Sequence, residues 1–197
     1  QELLASELPR QFSEIGSPPT YPYKTDGRVG NLNPTFIRYA HVAKELERRF
    51  GSLKNFSVAE IGVGFGGQSA VSHEILELSN VALYDLPEVN QLAKWFLSKT
   101  SPHLAVSAFD GRSPLKTQVD LVISNYAFSE LRPDIQKSYL ENLIHHAPRG
   151  FMLWNRLSET RLGGMTAESF VSKIPNARLE LEYPSSFKGN VLVTWSP

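Results

Sequence analysis

Apolar residues along this chain fall into short continuous runs separated by amphipathic stretches, and the alternation is regular from about residue 33 onward. Phe56 to Ile61, Asn80 to Tyr84, Asp120 to Ser124 and Gly150 to Trp154 read as strands buried on both faces. His103 to Phe109 is a weaker strand, and Ala177 to Tyr183 with Asn190 to Trp195 form a terminal strand pair. Between them the spacing changes to the helical period. Asn33 caps a helix that Pro34 opens and Gly51 ends, with Phe36, Ile37, Ala40, Ala43, Leu46 and Phe50 on one face and Val42 less well placed. Further helices are predicted over about Gln68 to Leu78, Pro87 to Lys99 and Ser129 to His146, the last with a proline-interrupted start, and a short one at Thr166 to Lys173 inside an insertion spanning 157–175. Alternating strands and helices of this kind predict an α/β fold, a mostly parallel sheet with helices on both faces.

The first 33 residues do not share this pattern. Pro9, the Gly16-Ser17-Pro18-Pro19 cluster, Pro22, Gly27 and Gly30 punctuate them too often for long elements, so they are read as an irregular N-terminal arm, with the folded domain spanning 34–197. Tyr21, Tyr23 and Arg28 in that arm either close over a site or pack on the sheet edge.

Composition narrows the chemistry. Lysine plus arginine and aspartate plus glutamate each number 20, a balance that argues against nucleic acid or an anionic membrane as the main partner. There is no cysteine, which excludes disulfides, thiolate nucleophiles and thiolate-held metals and suits a cytoplasmic enzyme. No apolar run approaches the ~20 residues that span a bilayer. No secretory signal is expected, and a first residue of Gln1 in place of Met suggests that a segment precedes it.

The sharpest local signal is Glu60-Ile61-Gly62-Val63-Gly64-Phe65-Gly66-Gly67, after a strand and opening a helix. Glycines there permit backbone angles closed to other residues and let a ligand lie against the chain. Asp85 ends the second strand at the ~20-residue offset where such folds place a carboxylate on ribose hydroxyls. A tight turn and a helix cap are the plain alternatives for these two features.

EIGVGFGGQS followed by YDLPEVNQLAKWFL resembles the class I methyltransferases, specifically the sugar O-methyltransferase family, over about residues 30 to 155. Asp-Leu-Pro-Glu is also similar to small-molecule O-methyltransferases acting on phenols. The resemblance implies a Rossmann-like fold of seven strands, the last one antiparallel, and S-adenosyl-L-methionine as cofactor. It implies that Glu60, Gly62, Gly64 and Gly66 line the methionine and ribose, that Asp85 holds the ribose, and that Leu86 lies beside the adenine. Glu60 favours this cofactor over a dinucleotide, whose pyrophosphate an acid would repel. Asp110 falls where these enzymes hold the adenine amino group, although Asp110-Gly111 is also a common turn pair.

The acceptor side of the class matches Ser124 to Glu130. Asn125 and Tyr126 would approach the cofactor, and Glu130 is the first candidate for the base that removes an acceptor proton, its plain alternative being a helix first-turn glutamate. His145, beside His146, is the second, against a helix-end histidine that merely suits the dipole. Asn155 and Arg156 follow the fifth strand, and Arg156 could orient an acceptor. His41 and His73 read as surface or packing residues, and no carboxylate pair suggests a metal site. The expectation is an S-adenosylmethionine-dependent O-methyltransferase acting on a small hydroxylated acceptor, a sugar or glycan unit. The alternatives are a nucleotide-binding oxidoreductase or epimerase, and a non-catalytic methyltransferase-like interaction domain.

Overall fold

The computed structural model of the chain describes residues 12, 15–25 and 28–197. Pro9 and Gly27, two of the breaks expected in the arm, lie outside these residues. The irregular arm is corrected in part: β1 (Tyr21–Thr25) and β2 (Arg28–Leu32) pair antiparallel as a hairpin, Tyr21 opposite Leu32. Pro22 and Gly30 are compatible with a two-stranded ribbon because no central strand needs their backbone donors or side chains.

Helix α1 (Pro34–Phe50) begins as the capping pattern requires, with Asn33 Oδ1 accepting from the backbone of Thr35 at 2.8 Å and Phe36 at 3.3 Å. Val42, poorly placed on the helical wheel, is nevertheless buried. The main sheet follows: β3 (Ser57–Ile61), β4 (Asn80–Asp85), β5 (Ala105–Asp110), β6 (Leu121–Asn125), β7 (Gly150–Trp154), β8 (Arg178–Leu181) and β9 (Val191–Trp195). Their order is β5-β4-β3-β6-β7-β9-β8, and all run parallel except β9, which is antiparallel to both neighbours. The order reverses between β3 and β6, so the carboxyl ends of β3, β4 and β6 surround the switch point where open α/β sheets bind ligands.

Two apolar layers sandwich the sheet. On one face, α1, α2 (Gly67–Leu76) and α3 (Pro87–Thr100) cover Val58, Val81, Leu83 and Leu121. On the other, α4 (Pro133–Asn142) and α6 (Ala167–Val171) cover Ile61, Tyr84, Val122 and Trp154. Gly150 is required where β7 meets β9, since a methyl there would enter the Trp195 ring.

The helix expected over 129–146 has its proline-interrupted start, as a 3-10 turn (Ala127–Glu130) before α4, and differs in a second break that leaves another 3-10 turn (Ile144–His146). Pro133 forces Arg132 into an extended conformation with ψ 152°, which ends the first piece. The insertion holds one helix more than expected, α5 (Arg156–Leu162), capped by Asn155. Among the described residues no helix is long and apolar enough to cross a membrane.

Candidate active site

The site is assembled where β3 and β4, hydrogen-bonded neighbours, both end. Past Ile61 the chain turns sharply, and the Gly62 amide donates to Tyr84 O at 2.9 Å. Asp85 then reaches across from β4. Its Oδ2 accepts from the amides of Val63 at 2.8 Å and Gly64 at 3.2 Å, and its Oδ1 accepts from Leu86 at 2.8 Å. The carboxylate thus sets the shape of the glycine turn.

Each glycine in that turn has a different physical task. Gly62 has φ +77°, and a Cβ there would collide with the methyl of Ala127. Gly66, at φ +88°, passes within van der Waals reach of α3 at Ala93 and Leu97. Only Gly64, at φ +53°, faces open space. Tight turn, close helix packing and exposed backbone floor are the three roles glycines take in a nucleotide-binding turn.

The turn and Asp85 border a cavity of about 330 Å³, toward the small end of the roughly 300–1,000 Å³ usual for ligand pockets. Leu86, Leu131, Ile135 and Tyr139 supply apolar walls, Arg112 stands at its rim, and Gly111 permits close approach of the Tyr139 hydroxyl.

Glu60 lies beneath, buried in β3, with the Ser69 hydroxyl donating to its Oε2. Burial pushes its carboxyl up to about 8, and the nearby Asp85 charge adds to the effect against the Ser69 hydrogen bonds.

A second, larger cavity of about 600 Å³ opens along α1 from Pro34 to Arg49, against β7, β9 and the segment after β8, bordered among others by Arg38, His41, Glu182 and Ser186. Tyr126 stands behind the wall of the larger one. Its backbone is left-handed, φ 72°, and its hydroxyl donates to Glu182 and meets Ser186 Oγ at 2.7 Å. Ala127, the next residue, closes against Gly62. Ala127 thus borders the smaller cavity, and Tyr126 supports two residues that border the larger.

No family model matches the chain, and no curated protein matches it. Solved structures do. Mitomycin 7-O-methyltransferase MmcR superposes with a TM-score of 0.60 at 14% identity, over 81% of this chain and 53% of that one. This chain therefore spans about half the length of that enzyme. Thermoplasma acidophilum 1320 matches at 0.60 and 14% identity, over 95% of this chain and 93% of its own. PigF, solved with SAH, matches at 0.55 and 15% identity, over 77% of this chain and 53% of its own. The seven-stranded order with one reversed strand agrees with these neighbours. The chain has the Rossmann-like methyltransferase fold.

Within that fold the expected cofactor residues Gly62, Gly64, Asp85 and Leu86 line one cavity. Glu60 and Gly66 do not reach its wall; they support the turn from below and behind. Asp110 is turned toward Arg112, bonded to it at 2.6 Å, and this pairing holds the exposed carboxyl down to about 2. Asn125 donates to Gln68 Oε1 at 3.0 Å, while its Oδ1 is buried without a partner among the described residues.

The acceptor-side candidates separate. Tyr126 lines neither cavity and backs Glu182 and Ser186, which border the larger one. Glu130 is exposed and accepts from Asn155 Nδ2 at 2.9 Å. His145 is a correction: its 3-10 turn comes just before β7 begins, so it sits at the amino-terminal edge of a parallel sheet whose carboxyl ends carry the site. The physical reason is connectivity, because α4 must return the chain to the opposite edge before the next parallel strand starts.

Sequence reasoning missed several lining residues. Ile135 and Tyr139 follow a helical i, i+4 spacing that could have flagged one face of α4, whereas Leu131 lies in the extended link before it. Arg38, His41, Glu182 and Ser186 carried no such signal. His41, read as a surface or packing residue, borders the larger cavity and bonds Tyr183 O at 3.0 Å through Nε2. Arg156 pairs with Glu168, and so is engaged within the insertion.

Proposed function

We propose that this chain is an S-adenosylmethionine-dependent O-methyltransferase whose acceptor is a small hydroxylated molecule, a sugar or glycan unit. The observation that carries the reading is the pairing of Asp85 with the Gly62–Gly66 turn beside a cavity with apolar walls. The donor set suits an adenosine. A carboxylate oxygen with lone pairs to spare accepts ribose hydroxyls, Gly64 presents backbone without a side chain, and Leu86, Leu131 and Ile135 suit a purine face. The unpartnered Asn125 Oδ1 is an acceptor suited to an ammonium group such as the methionine end carries. When bound, the cofactor supplies an activated methyl group on a sulfonium.

What remains for the protein is to align the acceptor, exclude water and receive a proton. Tyr126 holds its position through Glu182 and Ser186, and its phenol stays protonated because burial and Glu182 raise it to about 12. Its one proton is directed at Glu182, so toward an acceptor hydroxyl it offers an oxygen lone pair. Glu130 remains a candidate base if the acceptor reaches the Asn155 side. Zero net charge supports a small acceptor over nucleic acid.

Calorimetry with S-adenosylhomocysteine, and separately with NADH, tests the cofactor. Binding of the first and not the second is expected, with Asp85→Ala weakening it at least about tenfold, as loss of a charged hydrogen-bonding partner should. Equal binding by the variant would refute the assignment of Asp85. NADH binding in its place would favour the oxidoreductase reading.

A further inference from the structure

Three arginines and three glutamates border the larger cavity, but they are not all paired with one another. Arg48 and Arg49 are engaged with Glu45, at 2.7 and 3.2 Å, and Arg49 also with Glu180 at 2.8 Å. His41 is bonded to a backbone carbonyl. Glu182, only 7% exposed, receives the Tyr126 hydroxyl together with the Ser186 amide at 3.1 Å and hydroxyl at 2.7 Å. Arg38 differs. It is exposed on the first turns of α1, its guanidinium lies 5.1 Å from the centre of the Tyr126 ring, and among the described residues it has neither an ion pair nor a hydrogen bond. A guanidinium stacked on a ring keeps its edge donors free in one plane, the arrangement that receives a carboxylate or phosphate in two parallel bonds.

Beside that cation stands a group suited to a hydroxyl. Tyr126 is a non-glycine residue held at positive φ, a conformation that costs of order 1 kcal/mol or more and persists only where the surroundings enforce it. Here Ser129 Oγ donates to Tyr126 O at 2.6 Å, and the side chain is anchored by Glu182 and Ser186. The effect is to hold the phenol against Glu182 and Ser186, two residues of the larger cavity's wall, while Ala127 closes on the glycine turn.

We infer that the larger cavity is the acceptor site and that Arg38 makes it selective for acceptors carrying an oxyanion near the hydroxyl, such as a sugar acid or a sugar phosphate, over neutral sugars. This rests on the donor reading above and names the substrate class of the neighbouring pocket. Arg38 binds the oxyanion; Tyr126, backed by Glu182, meets the hydroxyl.

The test is calorimetry on the full chain, with and without saturating S-adenosylhomocysteine, using glucuronate, glucose 6-phosphate and glucose as probes. At least one anionic probe should bind about tenfold or more tightly than glucose, and Arg38→Gln should erase that preference while leaving the affinity for S-adenosylhomocysteine unchanged. Which anion binds better separates a carboxylate site from a phosphate site. Equal binding of glucose, no binding of any probe, or a preference that survives Arg38→Gln would overturn the inference. Failure of S-adenosylhomocysteine itself to bind would instead remove the donor reading, and the charge preference would still be read from the titrations without it.

Discussion

Replacing Glu60 by Gln should flatten the pH dependence of stability. Glu60 is 2% exposed, and its carboxyl is raised from 4.5 to about 8, chiefly by burial. Above pH 4.5 the unfolded chain releases this proton, while the folded protein holds it until about pH 8. The unfolded state then binds fewer protons, so stability falls as pH rises through that window. The contribution of the neutral carboxyl is whole below about 4.5 and gone above about 8. Across the full window the loss is about 5 kcal/mol, of which about 3 kcal/mol lies above pH 5.5. Gln cannot ionise and still offers an oxygen to the Ser69 hydroxyl, so the variant removes the titration while keeping that acceptor. Urea unfolding at pH 5.5 and pH 9 measures it. The wild type should lose about 3 kcal/mol more than Glu60→Gln between the two, other groups contributing equally to both proteins. Parallel losses would show that Glu60 ionises in the fold as it does in water, and the description of β3 as a dry strand under the turn would be wrong.

The glycines should separate by task. Gly64→Ala meets no atom within 4 Å, so only its left-handed backbone opposes it, and a loss of about 1 kcal/mol is expected together with weakened S-adenosylhomocysteine binding. Gly62→Ala adds the collision with Ala127 and should lose about 3 kcal/mol or more, read by thermal or urea unfolding. Equal stability of the two variants would contradict the packing described. His145→Ala, at the far edge of the sheet, should leave S-adenosylhomocysteine affinity within twofold of wild type; a larger change would return it to the candidate residues.

Much of the smaller cavity was legible because its signals are local. Strands buried on both faces must be continuous apolar runs, and β3, β4, β6 and β7 announce themselves in that way. A turn that needs positive φ at Gly62, Gly64 and Gly66 selects glycine in the chain itself. Asp85 could be found because it lies at a fixed distance from that turn along one βαβ unit. The stretch over 129–146 was less legible. Its interruption by Pro133 shows in the chain, but the second break at Leu143 does not, and the strand that starts at Gly150 leaves His145 at the other edge of the sheet. Asp110 was read as a ligand group because its position, not its partner, was visible; Arg112 two residues on is the side chain it meets.

What the sequence determined by itself is therefore the alternation of elements, the glycine turn and the acid after it, since each depends on residues a few positions apart. What only the tertiary structure decided is the second cavity. Tyr126 and Glu182 are 56 residues apart, and they meet because β9 inserts between β7 and β8 and brings the segment after β8 over the carboxyl end of β6. Contacts of that separation depend on strand order, which is set by how the whole sheet buries its two faces and leaves no periodic trace in the chain.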